Sequence, residues 1–206
     1  PCMPTPLPSC FEPASSSTSE LVPELLMYSS EDLVLSRLDA TALYSGIIVD
    51  TKNFAVQTGV RTFDAAAYLR RAGADPVLVR HLFRTDYETN IAISKAKAYS
   101  NLYEGGLITT TCPEIIPNIQ AIAAQVADSL LRIEGVRMSL VFFRLDAETV
   151  GISARSTGEL NVQVIMENFG GGGHQNVAGA QVKKQKLEDV QAKAIELSRK
   201  YIEENG

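Results

Sequence analysis

A run of four glycines, Gly170-Gly171-Gly172-Gly173, is followed at once by His174, one of only two histidines in the chain. Glycines strip side chains from a backbone and let φ turn positive, so a row of N–H donors can close on an anion. A histidine beside that row adds a donor or a proton carrier that works near neutral pH. The chemistry on offer is an anion cradle with a handle. The amides of Gly171, Gly172 and Gly173 would surround a phosphate or carboxylate, and His174 would stand against it. The plain alternative is a flexible glycine loop between a helix and a strand, with His174 merely hydrogen-bonded.

A second candidate lies upstream. Arg155 closes Ile152-Ser153-Ala154-Arg155-Ser156, which reads as the end of a strand. One helix separates it from the glycines, so strand, helix and loop can deliver Arg155 and His174 to the same end of a sheet. A guanidinium fork beside backbone amides suits a phosphate, with Ser156 next to it as a further contact. Without the glycine run Arg155 would read as a surface strand residue. Asp50 is the third candidate, closing the apolar segment Gly46-Ile47-Ile48-Val49. A carboxylate ending a buried element serves as a helix cap or turn residue, or holds a divalent cation, and such a cation takes several oxygen ligands. His81 falls among Leu78, Val79 and Leu82 and reads as a histidine satisfied by its neighbours rather than as a ligand.

Composition narrows the partners. At 206 residues the chain can build one large core or two small ones. A net charge of −5 and a pI near 5.1 leave no basic field for duplex nucleic acid, while a local positive pocket for a small anion stays open. Cys2, Cys10 and Cys112 are odd in number and lack metal-type spacing, so free thiols in a reducing, cytoplasmic compartment are expected. No apolar run approaches a membrane span.

The elements that must position these residues follow from pattern. Residues 1–13 hold five of the nine prolines and read as an irregular leader, as in a chain cut from something longer. Helix-start residues Ser15 to Ser19 precede Leu21, Leu25 and Leu26, predicting a helix capped near Ser19. Further helices are expected from Asp39, over Phe63–Ala72 behind Thr62, after Asp75-Pro76, and along 85–103. The pair Gly105-Gly106 marks the domain boundary, giving a first domain over 14–104 and a second over 105–206. In the second, Leu107–Thr111 is a strand and Asn118–Glu134 an amphipathic helix. Arg137–Leu145 and Thr149–Ser156 form a hairpin, Asn161–Phe169 a short helix, Ala178–Lys183 a strand, and Leu187 to Tyr201 a closing helix. The expected class is α/β, with a mixed sheet in the second domain.

Four motifs carry a family resemblance. Gly-Ile-Ser-Ala-Arg-Ser at 151–156, Asn161-Val162, and Gly-Gly-Gly-Gly-His followed by Ala178 resemble the C-terminal, DHH-associated domain of the DHH phosphoesterases. Residues 14–22 and Gly46-Ile47-Ile48-Val49-Asp50-Thr51 are similar to the later part of the preceding DHH domain. The wording sits nearest the GdpP type, the bacterial cyclic-di-AMP phosphodiesterases, and covers nearly the whole chain after about Phe11.

The resemblance implies a remnant of a DHH domain followed by a complete substrate-binding domain. It implies a manganese-dependent hydrolysis of cyclic-di-AMP to pApA, with Asp50 as one metal ligand. Arg155, Ser156 and the Gly171–Gly173 amides would hold a phosphate, and His174 would contact it at the cleavage point. The family's early His/Asp set and its Asp-His-His motif are missing from the sequence, so the chain alone is expected to be inactive. Alternatives within the family are a nanoRNA or pAp phosphatase and a RecJ-like exonuclease. Outside it stands a non-catalytic nucleotide-binding module. The resemblance also gives the intact protein a membrane-anchored N-terminus, and an incomplete DHH sheet would invite homodimerisation.

Overall fold

A computed structural model describes residues 18–28, 34–112 and 115–205. The proline-rich start, Ser15 to Ser17, Cys2 and Cys10 therefore lie outside the described residues. The chain divides into two compact units, one up to Arg84 and one from Thr85.

The described part of the first unit is helical: α1 (Thr18–Tyr28), α2 (Arg37–Asp50), α3 (Val60–Arg71) and α4 (Pro76–Leu82). Local chemistry sets the starts. Ser36 caps α2 by accepting from the Asp39 N–H, and Asp75 caps α4 ahead of Pro76 by accepting from Val77 and Leu78. The helix expected from Asp39 thus begins at Arg37. Thr62, expected to cap α3, instead sits inside its first turn, where its hydroxyl accepts from the Gly59 N–H and donates to the buried Glu20. Ala40, Ile47, Ala65, Leu69 and Ala74 make the small core.

The second unit begins with α5 (Tyr87–Ala98), capped by Asp86. The helix expected along 85–103 stops at Ala98, and Asn101–Tyr103 is a strand, β1, antiparallel to β2 (Leu107–Cys112). Left-handed Gly105 and Gly106, at φ 78° and 80°, turn the chain between them. α5 belongs with this unit, ahead of the glycine pair expected as the boundary, because Ala96 is buried in the α6 core and its carbonyl accepts from Thr110 of β2.

The remaining elements are α6 (Ile119–Leu130), β3 (Met138–Arg144), β4 (Thr149–Ser156), α7 (Val162–Glu167), β5 (Gly172–His174), β6 (Val177–Lys183) and α8 (Leu187–Asn205). The sheet order is β1-β2-β3-β4-β6-β5, with β2 and β3 parallel across the α6 crossover and every other pair antiparallel. It is the mixed sheet of an α/β fold, as the sequence pattern implied. One face is closed by α7 and α8 over Leu140, Phe142, Ile152 and Ala180. The other carries α6 over Val141 and Phe143. α6 packs on β2, β3 and β4 and stops there, so Val177 of β6 and all of β5 remain exposed. Among the described residues no helix is long and apolar enough to cross a membrane.

Gly151 shows how tightly the covered half is filled, since a Cβ there would overlap the Phe143 ring. Gly151→Ala should therefore lower stability by about 1–3 kcal/mol, read as a fall in the urea midpoint. Phe143→Leu in the same chain should recover part of that loss.

Candidate functional site: the open half of the sheet

The uncovered half of the sheet forms a concavity of 720 Å³ beside α6. Its geometry follows from register. Ser139, Arg155, Val177 and His174 form one cross-strand row over β3, β4, β6 and β5, so their side chains share a face. Arg155 and His174 stand two strands apart, roughly 10 Å, on either side of Val177. The structure brings together the two residues singled out for an anion, at one end of the sheet. The next row on that face is Ser153, Gly179 and Gly172, a floor with almost no side chains.

Arg155 is the anchored member. Its side chain is 11% exposed. Its Nε donates to Asp128 Oδ1 of α6 at 3.3 Å, and its Nη1 donates to Ser153 Oγ at 3.2 Å and to the Ala154 carbonyl at 2.9 Å. A buried guanidinium without a counter-charge would be costly, and Asp128 supplies it while fixing the fork's direction. His174, by contrast, is exposed at the sheet edge.

The glycine run is not a loose loop. Gly170 and Gly171 donate their N–H groups to the Glu167 and Met166 carbonyls, each at 3.0 Å, so these two amides are already occupied by the end of α7. Gly172–His174 forms β5, an edge strand on β6. In such a strand alternate N–H groups turn away from the partner, which leaves outward donors on one side only. The open nest expected from Gly171 to Gly173 is thereby corrected to a glycine edge strand. Gly171 is required by contact, because a Cβ would sit 2.6 Å from Ala180 Cβ and overlap the Gly179 carbonyl. At Gly172 a Cβ would meet nothing within 4 Å.

Ser156 is not on this face. Its hydroxyl donates to the Leu160 carbonyl at 2.6 Å, lies 3.3 Å from that of Gln175, and is buried. It ties the turn after β4 to the turn after β5. Asp50, expected at the end of a buried element, is instead the exposed last residue of α2. Behind it Thr51 is fully buried and accepts from the Phe54 N–H, while Lys52, Asn53 and Phe54 all adopt φ between 47° and 63°. Three successive left-handed residues without glycine are strained backbone of the kind found at functional turns. Among the described residues no group of three or more His, Cys, Asp or Glu could hold a metal ion, so these residues do not by themselves make a manganese site. Sequence reasoning missed Asp128 and Gln120, whose spacing with Ala124 puts them on one edge of α6, and Gln181 of β6.

Residues 117–200 match the family model "DHHA1 domain". The second unit thus resembles a DHHA1 domain over most of its length. The motif resemblance at Gly151–Ser156 and Gly170–His174 holds, since both motifs fall inside the matched span. Similarity extends well beyond the domain. The chain is 46% identical over 193 residues to cyclic-di-AMP phosphodiesterase GdpP of Geobacillus thermodenitrificans, covering 94% of this chain and 29% of that protein. It is 44% identical over 185 residues to cyclic-di-AMP phosphodiesterase PdeA of Listeria monocytogenes, covering 90% and 28%. It therefore spans under a third of the length of these two relatives. Among solved structures, an exopolyphosphatase-related protein from Bacteroides fragilis shares the fold, with a TM-score of 0.78 at 21% identity over 93% of this chain and 57% of that one.

The contacts of the DHHA1 glycines separate two substitutions. Gly171→Ala should force β5 off β6 and raise amide exchange across both strands by about tenfold or more, the effect of losing roughly 1.4 kcal/mol of local stability. Gly172→Ala, with open space at the Cβ, should leave exchange unchanged.

Proposed function

We propose that this chain is the substrate-binding portion of a DHH-family phosphodiesterase that hydrolyses a cyclic dinucleotide, cyclic-di-AMP to pApA. The observation that carries the reading is the cross-strand row that puts Arg155 and His174 on one face, beside the next row of Ser153, Gly179 and Gly172. A phosphate needs a fixed cation, a second donor and close approach to backbone, and this face offers all three. The names of the relatives supply the nucleotide.

In this reading Arg155, aimed by Asp128, takes the phosphate charge, and the outward amides of β5 add neutral donors. His174 donates to the same phosphate from the edge of the sheet, where its exposure lets substrate reach it. Gly171 acts through packing, since its N–H is spent on Met166, and Ser156 by joining two turns. The first unit is the end of the catalytic domain. Its Asp50 would give one ligand to a manganese centre whose His/Asp and Asp-His-His ligands this sequence does not contain. Recognition and metal chemistry thus sit on different units. The intact protein would act in the cytoplasm, on a small nucleotide rather than on duplex nucleic acid.

Calorimetric titration of this chain with cyclic-di-AMP and pApA, without metal, tests the assignment. Arg155→Ala should weaken binding at least about tenfold, some 1.4 kcal/mol, for the loss of a charge-assisted phosphate contact. An unchanged Kd would take Arg155 out of the site. Preference for pAp over both dinucleotides would move the reading to a nucleotide phosphatase.

A further inference from the structure

The concavity changes character along its length, and the dinucleotide reading accounts for only one end. At that end stand Arg155, His174 and Asp128. At the other stand two carboxamides. Gln181 pairs with Gly151 on β4, and it lies on the open face because β6 alternates Ala178, Ala180 and Val182 into the core. Gln120 shares one edge of α6 with Ala124 and Asp128, at successive spacings of four. Gln120, Ala124 and Gln181 all line the concavity.

The distances on the two walls agree. At 1.5 Å per residue, Gln120 lies roughly 12 Å along α6 from Asp128. At about 3.3 Å per residue, the Gly151–Gln181 row lies roughly 13 Å from the Arg155–Val177 row. Helix wall and strand wall thus pass from charge to carboxamide over the same length. That is far longer than a phosphate and fits a nucleotide laid end to end. Between the two ends the small residues Ala124, Ser153 and Gly179 and the Phe143 ring leave room for a flat apolar group. Neither glutamine side chain has a hydrogen-bond partner among the described residues.

We propose that this second end is a nucleobase subsite, in which Gln120 and Gln181 read the edge of a purine and prefer adenine. The proposal rests on the dinucleotide reading above. A carboxamide offers one donor and one acceptor side by side, which matches N7 and the N6 amino group of adenine. Guanine presents two acceptors on that edge, O6 and N7, and sets an acceptor against the amide oxygen. The two glutamines are therefore specificity-determining residues, remote from the phosphate that is cleaved.

The experiment is a competition titration of this chain with three probes: pApA, pGpG and an abasic dinucleotide of equal charge. Wild type should favour pApA over pGpG by about tenfold, the scale of one good bidentate base contact. Gln120→Leu and Gln181→Leu together should bring that ratio within about twofold and leave the abasic probe's Kd unchanged. The subsite is refuted if the double variant keeps its preference, if wild type shows none, or if all three probes weaken alike. Should no probe bind wild type, or Arg155→Ala leave every Kd unchanged, the phosphate assignment fails first and the base subsite falls with it.

Discussion

At Gly171 and Gly173 the backbone lies against β6 more closely than a side chain would permit, and the open face depends on that approach. A Cβ at Gly171 or Gly173 would run into Gly179, Ala180 or Ala178. Because the approach is so close, a three-residue strand can be held at the sheet edge, and His174 is carried on it in register with Arg155. The glycines are thus a packing device first. Their value for an anion comes second, through the donors left facing outward and the floor left free of side chains.

Arg155 shows the complementary arrangement. It is buried, held by a carboxylate, a hydroxyl and a carbonyl, and so meets a ligand already aimed. The helix that supplies Asp128 also ends the cover over the sheet. One helix edge, with Gln120, Ala124 and Asp128 in line, therefore sets both where the concavity begins and which chemistry lines it. A bulkier residue at Ala124 would narrow the space between charged and carboxamide ends.

The first unit stands apart in its chemistry. Asp50 ends a helix in solvent ahead of three left-handed residues pinned by the buried Thr51. In the proposed role Asp50 would join ligands from elsewhere, because one exposed carboxylate does not hold a divalent ion alone. The chain spans under a third of the length of the GdpP and PdeA relatives.

Much of this was legible in the residues themselves. The cap at Asp75, the amphipathic α6 and the β3–β4 hairpin are local features, determined by side chains within a few positions of one another. That Arg155 and His174 can reach the same end of a sheet was readable from the order of strand, helix and glycines. Other features needed the tertiary structure. Asn101–Tyr103 and Gly172–His174 are strands only because β2 and β6 accept their hydrogen bonds, and three residues carry no period of their own. The same pairing turned an expected amide nest into an edge strand and sent the Gly171 N–H to Met166. Ser156 left the site because neighbours in a strand face opposite ways. Asp128, Gln120 and Gln181 could not be found in advance, since their meaning comes from the helix and strand that face each other across the concavity. Sequence determined the chemistry available and the local elements that carry it. The fold alone decided which groups meet, because strand pairing and face depend on partners far away in the chain.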